Sequence, residues 1–305
     1  MKKINKNGII NYKNKGDTIF MKYKKDSLGD RMKTYENQFR LYLDPKEPVI
    51  VRIDGKAFHT FTRGFKRPFD SVFANAMTET MKYLCENIQN CVFGYTQSDE
   101  ITLVLVNDFN PKSCAWFDNN LQKIASVAAS MATWAFNHSF SIGVEMYDYA
   151  WRHSLTPQSC EIQEEHKQYM EHLREAAFKG AMFDARVFTL PKHEIINCLI
   201  WRQQDAIRNS IQSCGQAAFS HRELQGKNCQ EIVHMLAEGF RPNKFNWYSQ
   251  PNKFKYGSCC IKDDVQEVNG AIRTKWRVDY EIPVFTEDRE YVNKWLYAKE
   301  DIDNG

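Results

Sequence analysis

At 305 residues, 43% hydrophobic and 26% charged, the chain has the composition of a globular protein with a sizeable core. A formal charge of +3 leaves nucleic-acid binding to local basic patches, and nine cysteines without a Cys-x-x-Cys pair argue against a zinc ribbon or a disulfide framework and for reduced thiols in the cytoplasm. No apolar run approaches membrane-spanning length, and the Lys/Asn-rich opening residues hold no signal core.

Residues 1–20 are polar and read as a flexible extension, with Met21 a candidate start of the functional part. Residues 26–42 pattern as a helix, with Met32, Tyr35, Phe39 and Tyr42 at helical spacing. Val49, Ile50, Val51 and Ile53 make a β-branched run that reads as a buried strand, closed by Asp54-Gly55 and followed by the cations Lys56, His59 and Arg63. Pro68 and Asp70 introduce a helix over 71–89. Two apolar runs, 91–97 and 101–106, flank Ser98-Asp99-Glu100 and read as a β-hairpin with an acidic tip.

A helix over 118–137 carries Leu121, Ile124, Ala125, Ala128, Met131 and Ala132 on one face. The stretch 138–180 is polar, with a solvated helix over 160–178. His166 and His172, six residues apart, do not share a helix face there. A strand over 183–188 ends at Pro191, and helices follow over 193–214 and 228–238. His193-Glu194 has Asn197 where a metalloprotease helix needs its second histidine. Residues 241–262 interleave bases with aromatics, which suits RNA stacking and phosphate contact as well as lysines laid over apolar surface. The tail reads as a strand from 271, Pro283 and a terminal helix, with Arg273, Lys275 and Arg277 alternating on one side of the strand. The order of elements gives an α+β class, and the βαββ start fits a ferredoxin-like palm.

If the hairpin pairs beside the first strand, Asp54 and Asp99 come within reach of one divalent ion. Two carboxylates, with water and phosphate oxygens completing the octahedron, suit Mg²⁺ in a phosphoryl- or nucleotidyl-transfer centre. An Asp-Gly turn beside an ordinary polar hairpin tip fits the same residues.

Arg52-Ile53-Asp54-Gly55, Phe58-His59, Phe61 and Gln97-Ser98-Asp99-Glu100 together resemble the signature of the tRNA(His) guanylyltransferase superfamily. The likeness continues through Leu28-Gly29-Asp30-Arg31, Phe183-Asp184-Ala185-Arg186-Val187, Trp201-Arg202-Gln203-Gln204-Asp205, Leu224-Gln225-Gly226 and Tyr256-Gly257, so it spans about residues 24–260. It implies a palm-like catalytic core over 21–145 and, over 146–305, the rest of the catalytic fold with RNA-binding and oligomerisation surfaces. It implies 3′–5′ nucleotide addition to tRNA: ATP or GTP activates the 5′ end, and the 3′-OH of an incoming nucleotide then attacks it.

The resemblance assigns Asp54 and Asp99, with the Gly55 carbonyl, to two Mg²⁺ ions. It assigns Lys56, Ala57, Phe58, His59, Lys66, Arg67, Asp70 (as the partner of Arg67), Ser98 and Lys123 to the nucleotides. Glu100, Arg202, Asp205 and Asn209 become a supporting or nucleotide- and tRNA-contacting set, and Lys244, Lys253, Lys255 and Tyr256 a tRNA-binding set. Phe58 also fits a core position, and Arg202 and Asp205 an i,i+3 surface pair. Eukaryotic members carry a His-Ile-Asn-Asn-Leu-Tyr-Asn run where this chain has Ile207-Arg208-Asn209-Ser210-Ile211-Gln212. The chain therefore resembles the Thg1-like proteins, which implies templated repair of tRNA 5′ ends more than guanylate addition to tRNA(His), and a homotetramer. A palm-type nucleotide cyclase and a non-catalytic RNA-binding protein are the readings from other classes.

Overall fold

The computed structural model describes residues 27–107, 114–154, 159–238, 246–266 and 272–297. In chain order the elements are α1 (Ser27–Asn37), β1 (Val49–Gly55), α2 (Phe58–Phe61), α3 (Ser71–Asn87), β2 (Cys91–Gln97), β3 (Glu100–Leu105), α4 (Leu121–Arg152), α5 (Cys160–Lys179) and β4 (Phe183–Thr189). Then come α6 (Ile195–Ala218), α7 (His221–Leu224), α8 (Cys229–Ala237), α9 (Asn252–Lys255), β5 (Ser258–Gln266), β6 (Ile272–Asp279) and α10 (Glu290–Leu296).

The strands form one antiparallel sheet in the order β4-β1-β3-β2-β5-β6. β1 to β4, with crossovers through α3 and α4, make the split βαβ unit of a ferredoxin-like palm. β5 and β6 extend that sheet beyond β2. The division expected at 145/146 falls inside α4, and strands from both sides of it share one sheet.

Helices pack on both faces of the sheet, which is why β1 opens on the unbroken apolar run Val49-Ile50-Val51 rather than alternating. Val49, Val51 and Ile53, with Ile101, Leu103 and Leu105, face α3 and α4. Ile50, Phe93, Tyr95 and Val104 face Ile195, Ile196, Leu199 and Ile200 of α6 and Val292 and Leu296 of α10.

Two helices differ from the expected ones. α4 does not stop near 137 but continues to Arg152, burying Phe136, Phe140 and Val144. Ser139, Ser141 and Gly143 weaken its pattern and its propensity, and packing against α3 and β4 outweighs them. α5 is not merely solvated, since Tyr169, Met170, Leu173 and Ala176 are buried along one side. α1 belongs to a separate compact unit, Met1–Leu41, and buries none of its residues.

Candidate active site

β1 ends at Asp54-Gly55, with Glu100 of β3 opposite Asp54 on one side and Asp184 of β4 on the other. The hairpin from β2 to β3 turns through Ser98 and Asp99 alone, with Ser98 at φ 49°, the positive value a two-residue hairpin asks of its first position. The Gly55 N–H donates to the Asp99 carbonyl at 3.1 Å and fastens the two tips together.

Burial raises the Asp99 carboxyl above its ordinary range and the negative charge of Asp54 raises it further, while its own backbone N–H and the Ser98 hydroxyl, 3.1 Å away, pull the other way. A cation bound beside Asp99 would offset both the burial and the neighbouring negative charge. Among the described residues no group of three or more His, Cys, Asp or Glu side chains is placed to hold a metal. A pair of carboxylates would suit an ion that keeps most of its own water and phosphate ligands.

Gly55 is required by its neighbour: a Cβ there would lie 2.3 Å from the Phe58 ring. Phe58 itself is 5% exposed and packs on Phe61, Phe73, Phe136 and Phe183 at centroid distances of 5.1–5.8 Å. It is a core residue bordering the site rather than an open platform for a base. Ala57, left-handed at φ 56° and ψ 39°, starts α2 and leaves His59 exposed at the site. Lys56 is exposed, with its N–H given to the Met182 carbonyl at 2.9 Å.

The loop between α2 and α3 is braced from behind. The Asp70 carboxylate accepts from the Lys66 N–H at 3.1 Å, the Phe73 N–H at 3.0 Å and the Tyr169 hydroxyl at 2.7 Å. It caps α3 and holds the loop. Among the described residues it makes no ion pair with Arg67, against expectation. The Lys66 ammonium donates to the Tyr147 hydroxyl and lies 4.7 Å from the ring centroids of both Tyr147 and Tyr169.

Above these groups opens a cavity of about 530 Å³, within the range of small-molecule sites. Gly55, Ser98 and Asp99 form one end and Ala57, His59, Lys66, Arg67 and Asp70 one wall. Of the opposite wall, the sequence pointed only to Asn209 and Lys253. That wall consists of Ala206, Asn209, Ser210 and Ser213 on one face of α6, with Lys253 and Phe254, whose ring stacks on Phe69 at 4.7 Å and 4°. The i, i+3, i+4, i+7 spacing on α6 was the available signal.

The remaining expected residues fall elsewhere. Arg202, 6% exposed, sets Nε 3.0 Å from Glu100 Oε1 and Nη2 2.6 Å from Asp205 Oδ2. Burial pushes the Glu100 carboxyl up to about 6, with Arg202 and Arg52 opposing that rise. These ion pairs tie α6 to the start of β3 behind the hairpin tip. Of the expected set only Asn209 lines the cavity.

Lys123 stands near the wrong end of α4. The site end is marked by Thr133, whose hydroxyl accepts from the Phe183 N–H at 3.2 Å, and by Asn137, bonded twice to Ala181. Lys123 precedes Thr133 by roughly 15 Å along the axis, and its ammonium lies 4.5 Å from the Phe117 ring centroid. Lys255 is buried and donates to the Tyr248 carbonyl at 3.1 Å, and the Tyr256 carbonyl accepts from the Tyr95 hydroxyl at 2.7 Å. Both brace the fold instead of offering a surface to RNA. Lys253 does face the cavity, 3.4 Å from Asn75 Oδ1. Lys244 lies outside the described residues.

The family model for tRNAHis guanylyltransferase (Thg1) matches residues 29–191, more than half of the chain. The chain belongs to this family. It is accordingly a nucleotidyltransferase. The Thg1 relative from Schizosaccharomyces pombe, a tRNA(His) guanylyltransferase, is 32% identical over 249 residues, covering 77% of this chain and 80% of that one. Two solved structures of a bacterial tRNA(His) guanylyltransferase (Thg1)-like protein are similar throughout. The complex with ATP has a TM-score of 0.69 at 40% identity over 89% of this chain and 99% of the other. The complex with GTP has a TM-score of 0.65 at 37% identity over 90% and 100%. The mixed helix and antiparallel-sheet fold is thus that of the Thg1 structures.

Proposed function

We propose that the chain adds nucleotides to the 5′ end of tRNA in the 3′–5′ direction, guided by the opposing strand, and so repairs truncated 5′ ends. The observation that carries this reading is the bond that fastens Gly55, the neighbour of Asp54, to Asp99 at adjoining strand tips, where Gly55, Ser98 and Asp99 form one end of a nucleotide-sized cavity. ATP or GTP would activate the 5′ end, and the 3′-OH of the incoming nucleoside triphosphate would then attack it. Activation would release pyrophosphate and leave a nucleoside monophosphate on the 5′ phosphate, and that monophosphate would be the leaving group when the 3′-OH attacks.

Asp54, Asp99 and the Gly55 carbonyl would hold paired Mg²⁺. Bound there, the ions would neutralise charge on the transferring and leaving oxygens and make the attacking hydroxyl more acidic. The protein's own contribution is placement. Lys66, Arg67 and Lys253 bring positive charge to the cavity that receives the triphosphate. The stacked Phe69–Phe254 pair gives the nucleobase an apolar wall, and Asn209 and Ser213 give it polar contacts. The absence of the eukaryotic run at 207–212 favours templated repair over guanylate addition to tRNA(His).

A homotetramer is part of the reading. The exposed ridge of α4 from Ser126 to Ala150 carries Trp134, His138, Ile142, Met146 and Tyr149 with Glu145 as its single charge, a composition suited to a protein interface. Nine thiols suit the cytoplasm, and among the described residues no helix is long and apolar enough to cross a membrane.

The test is incubation of purified protein with Mg²⁺, ATP, labelled nucleoside triphosphates and a tRNA lacking its first 5′ nucleotide. Incorporation of the nucleotide complementary to the opposing base is expected. No incorporation at the 5′ end sinks the reading, and incorporation that ignores the opposing base favours the guanylyltransferase activity instead.

A further inference from the structure

β1 and β4 set two arginines side by side next to the carboxylate centre. In their antiparallel register Asp54 lies opposite Asp184 and, two residues back, Arg52 lies opposite Arg186. Residues two apart share a face of a sheet. All four side chains therefore belong to the face of Ile50 and Phe188, not to the face on which Val51 and Val187 enter the α3–α4 core.

Like charges directly opposed across strands are destabilising. Among the described residues neither guanidinium forms an ion pair: the charge of Arg52 acts on Glu100, but Glu100 is already paired with Arg202. Arg186 is exposed. Arg52 is half-buried, 5.3 Å from the ring centroid of Trp201, which is 51% exposed. The sheet thus holds an uncompensated pair of planar cations about 7 Å along the strand from the Asp54 row. Adjacent guanidinium forks match the oxygens of a phosphate group.

We propose that Arg52 and Arg186 clamp a phosphate of the tRNA strand whose 5′ end lies at Asp54 and Asp99. The nucleotide is the less suitable source of that phosphate, because its cavity has its own cations in Lys66, Arg67 and Lys253 and is not lined by Arg52 or Arg186. The clamp rests on the reading of this centre as one that extends tRNA.

Arg186 is the residue to change, since it is exposed and its loss spares the core. Binding of the 5′-truncated tRNA to full-length protein is measured over a salt series for wild type, Arg186→Ala and Arg186→Lys, alongside the KM for the nucleoside triphosphate. Arg186→Ala is expected to bind about tenfold more weakly, with the slope of log K on log salt reduced by roughly 0.7–0.9, the contribution of one phosphate contact. Its KM for nucleotide should match wild type, and Arg186→Lys should recover the slope. Unchanged tRNA binding with a raised nucleotide KM assigns the anion to the nucleotide and overturns the clamp. A wild type that extends tRNA while Arg186→Ala keeps its slope and affinity overturns the clamp and leaves the proposed function standing. A wild type that does not extend tRNA overturns the proposed function and the clamp with it.

Discussion

Gly55 shows how little freedom the centre has at the level of single residues. The Phe58 ring lies over the strand end at a distance that leaves no room for a Cβ, so the glycine after Asp54 serves packing as much as the approach of a ligand. Gly55→Ala should therefore force the ring or the strand tip to move, at a cost of about 1–3 kcal/mol in stability by chemical denaturation. A variant as stable as wild type would show that Phe58 can step aside. The residue scale is also where sequence reading divided most sharply. Asp54 and Asp99 stood out because each closes an apolar run at a turn, a local feature. Arg202 and Asp205 did not reveal their place, because an i,i+3 acid–base spacing is the same for a surface pair and for the buried pair that also grips Glu100. Asp184 and Arg186 acquire meaning only through their register with β1.

At the scale of elements, α4 and α5 form a buttress behind the loop between α2 and α3. Tyr169 carries the link, giving its hydroxyl to the Asp70 carboxylate while its ring lies beside the Lys66 ammonium. Tyr169→Phe removes a buried hydrogen bond to a charged group, an expected loss of about 1–3 kcal/mol, together with a raised nucleotide KM. Loss of stability with an unchanged KM would confine the buttress to folding.

Further along, Asp148 of α4 receives Arg152 at 2.6 Å, Arg174 of α5 at 2.7 Å and His166 at 3.4 Å. Burial acts to raise its carboxyl, but the His166 hydrogen bond and the two arginines outweigh this and hold it below the ordinary range. Its stabilising effect is thus complete above the unfolded value of about 3.9 and fades as pH falls through the lower folded value. The Tm gap between wild type and Asp148→Asn should be widest near neutrality and shrink below about pH 4. A gap constant down to pH 3 would contradict the account. This buttress was hard to read from sequence. Ser139, Ser141 and Gly143 disguise the second half of α4, and the buried stripe of α5 is outnumbered by acidic and polar neighbours.

For the whole molecule, the sheet order explains why residues far apart in the chain meet at one end. β1, β3 and β2 are neighbours, so the motifs around Asp54 and Asp99 had to converge once the ferredoxin-like connection was recognised. The α6 wall and the arginine pair depend on packing and register that no local pattern encodes. Assembly belongs to this scale as well. If the sparsely charged ridge of α4 joins subunits, Met146→Glu, at a residue 67% exposed, should leave the fold intact and lower the mass found by light scattering. An unchanged mass would place the interface elsewhere.

The proposal that two strand tips share a metal is tested most directly by Mn²⁺ titration followed by electron paramagnetic resonance in the presence of ATP. The account predicts that Asp54→Asn and Asp99→Asn, each folded, lose the same bound Mn²⁺ signal seen with wild type. Retention of that signal after loss of either carboxylate would contradict it.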